Sequence, residues 1–84
     1  MIEVRFFASL REELACEHEM LEVEAAGETV AELRARLCQR GGRWATALAP
    51  ERAVLAAVNQ ELAPSHRMLT DGDEVAFFPP VTGG

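Results

Sequence analysis

The stretch Glu28-Thr29-Val30-Ala31-Glu32-Leu33-Arg34-Ala35-Arg36-Leu37-Cys38-Gln39-Arg40-Gly41-Gly42 decides the fold. Thr29 is placed to cap the first free amides of a helix, and Glu32, three residues on, completes a capping box. Val30, Leu33 and Leu37 recur at three- and four-residue spacings among Arg34, Arg36, Gln39 and Arg40, giving one apolar stripe and one solvated face. Gly41-Gly42 is expected to end the helix, since glycine takes the left-handed conformation at no steric cost. A helix with one apolar stripe needs one surface to bury it against, and the flanking segments supply that surface as strands.

Upstream, Ile2, Val4 and Phe6 alternate with Glu3, Arg5 and Phe7, the period of a half-buried strand with Phe7 on its wet face. Leu21 and Val23 against Glu22 and Glu24 predict a partner strand, with a helical turn over residues 11–14 in the connection. Downstream, residues 43–48 predict a short second helix stopped by Pro50. The uninterrupted apolar run Ala53-Val54-Leu55-Ala56-Ala57-Val58 predicts a strand covered on both faces. Asn59-Gln60-Glu61 turns the chain, and the turn Thr70-Asp71-Gly72-Asp73 feeds a final strand, Glu74-Val75-Ala76-Phe77-Phe78. One main helix cannot cover both faces of a sheet. The expected fold is therefore α+β, a β-grasp in which a small mixed sheet packs on that helix. The first two strands pair antiparallel, and the crossover makes a later strand parallel to the first.

With 84 residues, 49% of them hydrophobic, the chain suits one domain over residues 1–84 with a tail at 79–84. Fourteen acidic against eight basic residues give a formal charge of −6, which argues against nucleic acid as a partner. Two cysteines, Cys16 and Cys38, are too few for a disulfide scaffold and read as free thiols. No apolar run approaches the roughly 20 residues of a membrane span, and no basic-then-apolar leader opens the chain. The expected location is the cytoplasm.

The ending Phe77-Phe78-Pro79-Pro80-Val81-Thr82-Gly83-Gly84 is more than structure requires. Two prolines remove two ladder donors and force the strand to stop, so the tail leaves the sheet extended. Gly83 and Gly84 carry no Cβ atoms, which lets the final carboxylate enter a channel too narrow for other residues. A carboxylate is a poor electrophile at neutral pH, so acyl chemistry there needs activation by a separate ATP-using enzyme. This chain has neither glycine-rich nucleotide motif. Phe7 and Phe78, each on the wet side of its strand, mark an interface patch beside that tail.

Val54-Leu55-Ala56-Ala57-Val58-Asn59-Gln60, then Leu69-Thr70-Asp71-Gly72-Asp73-Glu74-Val75-Ala76 and the ending above, resemble the small sulfur-carrier subunits of molybdopterin synthase. Residues 2–14 and the helix followed by Arg43-Trp44 resemble that family too, while residues 15–28 and 61–68 fit it least. The resemblance implies a ubiquitin-like protein whose Gly84 is adenylated by an E1-like adenylyltransferase with ATP and Mg. A thiocarboxylate then forms with sulfur from a cysteine desulfurase or rhodanese-like protein. It further implies a heterotetramer of two small and two large subunits. The tail, Pro79, Pro80, Val81, Thr82 and Gly83, inserts into the large subunit, and Arg11 and Leu62 join Phe7 and Phe78 in the interface. The large subunit supplies the catalytic residues that build the dithiolene from cyclic pyranopterin monophosphate; this chain supplies sulfur and binds no cofactor itself.

Other residues favour plain readings. Cys38 follows Leu37 on the helix and reads as a small buried hydrophobe, and Cys16 as structural. Cys16, Glu17, His18 and Glu19 lack the second ligand pair that a zinc site needs. Ser65 beside His66 has no third partner for a triad, and Asp71 and Asp73 serve as turn formers. Two alternatives share the glycines: a protein modifier joined to lysines through Gly84, and a sulfur carrier of thiazole or amino-acid biosynthesis.

Overall fold

The computed structural model describes residues 1–80. Its elements run β1 (Ile2–Phe6), α1 (Ala8–Leu14), β2 (His18–Leu21), β3 (Glu28–Thr29), α2 (Val30–Cys38), α3 (Gly42–Ala47), β4 (Leu55–Val58), β5 (Glu61–Leu62), β6 (Met68–Leu69) and β7 (Glu74–Phe78). The main sheet has the order β2-β1-β7-β4-β5, with β1 and β7 parallel and the other neighbours antiparallel. The expected mixed sheet and its parallel pair are both present. A separate two-stranded sheet, β3 with β6, was not legible in the sequence, because two-residue strands carry no period.

The capping box at the head of α2 forms as the sequence dictates. Thr29 Oγ1 accepts from the Glu32 amide at 3.1 Å, and a Glu32 carboxylate oxygen accepts from the Thr29 amide at 2.9 Å. Val30, Leu33 and Leu37 are buried, and they meet Ile2, Val4 and Phe6 of β1, Ala56 and Val58 of β4, and Val75 and Phe77 of β7 in one core. Burying each such side chain is worth about 1.5–3 kcal/mol, so this one layer supplies most of the driving force. Phe6 lies between Phe77, stacked at 6.2 Å between ring centroids, and Trp44, edge-on at 5.4 Å. Arg40 lies over the Trp44 ring, 4.5 Å from its centroid.

Three expectations need correction. The second strand sits at His18–Leu21 rather than over residues 21–24, since the connection holds the whole helix α1 and delivers the chain to β1 earlier. Helix α2 stops at Cys38 with Gln39 still right-handed; Gly41, at φ 77°, instead turns the chain into α3. And β4 is covered on one face only: Ala56 and Val58 are buried, whereas Leu55 is 39% exposed and Ala57 half-buried. Its apolar outer face is therefore surface. Among the described residues, no helix is long and apolar enough to cross a membrane.

Two arginines tie loops to α2. Arg36 holds the buried Glu28 through two hydrogen bonds of 2.9 and 2.8 Å. Arg34 donates to the carbonyls of Leu48, Ala49 and Arg52 at 2.9, 2.5 and 2.9 Å, fixing the segment that leads into β4. Among the described residues, a groove of about 460 Å³ between α2 and β4 has Arg34 as its one charged wall residue, and that guanidinium is held by these carbonyls.

Candidate functional site

All three helices leave one face of the main sheet open, and strand register fixes what stands there. Leu55 is opposite Phe78, Ala57 opposite both Ala76 and Leu62, and Arg5 beside Ala76. Phe7 follows β1 directly; its amide donates to the Phe77 carbonyl at 3.1 Å, which keeps it level with the end of β7. Phe7 is 43% exposed and Leu62 72%, with Phe78 half-buried between them. The result is an apolar patch across β7, β4 and β5 on a chain otherwise rich in charge.

Of the residues singled out in the sequence, Phe7, Phe78 and Leu62 come together on this patch. Pro79 is half-buried and Pro80 exposed at its border. Arg11 is exposed one turn into α1, and its amide bonds to the Phe7 carbonyl at 3.4 Å. Val81, Thr82, Gly83 and Gly84 lie outside the described residues. Leu55, Ala57 and Ala76 were missed: alternation along β4 was hidden because its exposed positions are as apolar as its buried ones.

The patch ends in an ionic row. Arg5 Nη2 is 3.1 Å from Glu3 Oε2 and Arg5 Nε 3.5 Å from Glu74 Oε2, with His18 Nε2 3.8 Å from Glu3. Among the described residues, Arg5 Nε is buried without a hydrogen-bond partner. A depression of about 470 Å³ opens between row and patch, lined by Arg5, Phe7, Gln60, Glu74, Ala76 and Phe78.

Both thiols serve packing. Burial, then Glu19, pushes the Cys16 thiol up, which disfavours the thiolate, and the Cys38 thiol donates to the Leu48 carbonyl at 2.8 Å from a half-buried site rather than a fully buried one. His18 and Glu19, adjacent in β2, point to opposite sheet faces, Glu19 to Arg40. Among the described residues no three His, Cys, Asp or Glu side chains converge on a metal position.

A mixed sheet gripping one main helix, with its last strand ending in a double proline, defines a ubiquitin-like β-grasp protein. The chain belongs to the ThiS family, whose model matches residues 4–84. It is 51% identical over 84 residues, the full length of both chains, to the molybdopterin synthase sulfur carrier subunit of Escherichia coli (strain K12). A solved protein-protein complex of subunits 1 and 2 of the molybdopterin-converting factor of Helicobacter pylori 26695 contains a chain 31% identical, with TM-score 0.67 over 99% of this chain and 97% of that one. The small archaeal modifier protein 1 of H. volcanii is 25% identical, with TM-score 0.74 over 95% of this chain and 97% of its own.

Proposed function

We propose that this chain is the sulfur carrier of a molybdopterin synthase. A separate E1-like enzyme uses ATP and Mg to adenylate the Gly84 carboxylate, releasing pyrophosphate. The terminal sulfur of a persulfide on a desulfurase or rhodanese-like protein displaces AMP to give an acyl disulfide, and a second thiol cleaves its S–S bond, releasing the thiocarboxylate and leaving a disulfide on the donor side. The open face then docks on a large subunit, two small and two large subunits assembling together. Residues 79–84 reach its pterin site, and two sulfur deliveries convert cyclic pyranopterin monophosphate to the dithiolene. All of this takes place in the cytoplasm.

The observation that carries the reading is the double membership of Phe78. It is the last residue of β7, one step before Pro79-Pro80, and it is also the centre of the exposed patch. A partner that covers the patch therefore meets the chain where it leaves β7, at Pro79-Pro80. Tethering then gives the sulfur a high effective concentration at the acceptor, without any acid or base from this chain. The name and full-length identity of the E. coli relative support the same reading.

Intact mass spectrometry tests it on protein made alongside an activating enzyme and a sulfur source. The expected product has one oxygen at the C-terminus replaced by sulfur and yields molybdopterin with the large subunit. No exchange at Gly84 overturns the reading. The likeness to an archaeal modifier protein favours a second one; Gly84 found in isopeptide linkage to lysines, without thiocarboxylate, would select it.

A further inference from the structure

We propose that the depression walled by Phe7, Phe78 and Ala76 receives a lysine or arginine side chain of the large-subunit partner, with Glu74 as its counter-ion. This rests on the docking reading above and adds what the partner must present there.

Glu3 and Glu74 are level with one another on the parallel strands β1 and β7, so two carboxylates stand side by side on one face. Arg5 pairs with both, its Nη2 3.1 Å from Glu3 and its Nε 3.5 Å from Glu74, and among the described residues that Nε forms no hydrogen bond. The row Glu3, Arg5, Glu74 thus keeps one net formal negative charge, and of its two carboxylates Glu74 is the one that lines the depression. That side chain is 32% exposed, and its carboxylate has no hydrogen-bond donor among the described residues.

Docking decides what this means. A flat apolar surface closing over the depression would strip the remaining water from Glu74 and leave a buried, unsatisfied charge, which costs several kcal/mol. An acidic side chain would meet two carboxylates. A lysine or arginine removes the problem: its aliphatic stem lies along the phenyl rings of Phe7 and Phe78, and its head satisfies Glu74 beside aromatic faces that themselves favour a cation. The formal charge of −6 on the whole chain draws a basic surface from the same direction.

Titration of the large subunit against the full chain, at low and at physiological salt, tests the assignment. Glu74→Gln keeps the side-chain shape and leaves the Asn59 bonds to the Glu74 backbone intact. It is expected to weaken binding about tenfold and to flatten the salt dependence. Gln60→Lys, which places a competing cation at the rim while retaining Glu74, is expected to weaken binding as well. Thermal melts confirm that each variant is folded. If both variants bind with native affinity and native salt dependence while Phe78→Asp abolishes binding, the cation site is wrong and the docking face stands. If Phe78→Asp binds like the native chain, the docking face falls and the cation site with it.

Discussion

Phe78 and Leu55 stand directly opposite each other across β7 and β4, on the sheet face that no helix covers. Their neighbours one residue along, Phe77 and Ala56, are also a cross-strand pair and lie buried beneath α2. Strand alternation thus divides Phe77-Phe78 between two duties. One phenyl ring holds the core together; the other meets the outside at the point where the chain leaves the sheet.

Leu62 separates docking from stability most cleanly, because it is 72% exposed and has little packing to lose. Leu62→Ala is expected to change folding stability by less than about 0.5 kcal/mol. A central apolar contact in an interface is worth more, about 1–2 kcal/mol on truncation, or a five- to thirtyfold loss of affinity. Calorimetric titration with the large subunit, run beside a thermal melt, measures both. Native affinity would remove Leu62 from the interface.

Deletion of Gly84 reverses the pattern. The described core ends at Phe77, so the shortened chain is expected to melt within a degree or two of the native one and to bind the large subunit. Sulfur transfer to the pterin is expected to be lost entirely. A fall in melting temperature like that of a core substitution would mean that the tail supports the fold.

The fold was legible where a period could be read. The stripe Val30, Leu33, Leu37 and the alternation Ile2, Val4, Phe6 are long enough to declare a face, and both are buried in the structure. Neither β3 nor β5 exceeds two residues, so each depends on its partner strand rather than on its own sequence. Asn59 and Gln60, both at positive φ, make the tight turn that pairs β5 with β4, and Gln60 is a poor advertisement for that conformation. The candidate site was half legible. Phe7 and Phe78 betray themselves as aromatics on a polar phase, whereas Leu55 and Ala57 belong to a run that is apolar on every residue. Pairing Glu3 with Glu74 needs the parallel register of β1 and β7, which no local pattern carries.

Thr29 offers a test of the segment that decides the fold. Thr29→Ala removes the hydroxyl that accepts from the Glu32 amide and leaves that amide unpaired at the head of α2. The expected cost is about 1 kcal/mol, or roughly 4–8 °C in melting temperature for a chain this small. Thr29→Ser keeps the cap and is expected to recover most of the loss. Equal melting of the alanine and native proteins would show that tertiary packing alone sets the start of the helix.

Asp73 makes a prediction about acid. Its side chain is buried, and burial alone would raise its pKa. The opposing contacts win: the Thr70 amide donates at 2.8 Å, Asn59 Nδ2 at 2.9 Å and the Thr70 hydroxyl at 3.3 Å, with Arg67 4.0 Å away, so the pKa is held below the ordinary carboxylate value. A folded-state pKa below the unfolded one, about 3.9, means stability that is fully present above that pH and disappears as the pH falls through the folded value. Asp73→Asn gives up the charge-assisted bonds, and is expected to be about 1–3 kcal/mol less stable than the native chain at pH 7. The deficit is expected to shrink below about pH 4, as native Asp73 takes up its proton. Denaturant unfolding of both proteins at pH 7, 5 and 3 measures it, and the other carboxylates, common to both chains, cancel in the difference. A deficit that is the same at pH 7 and pH 3 would mean that the Asp73 charge does not hold the turn that launches β7.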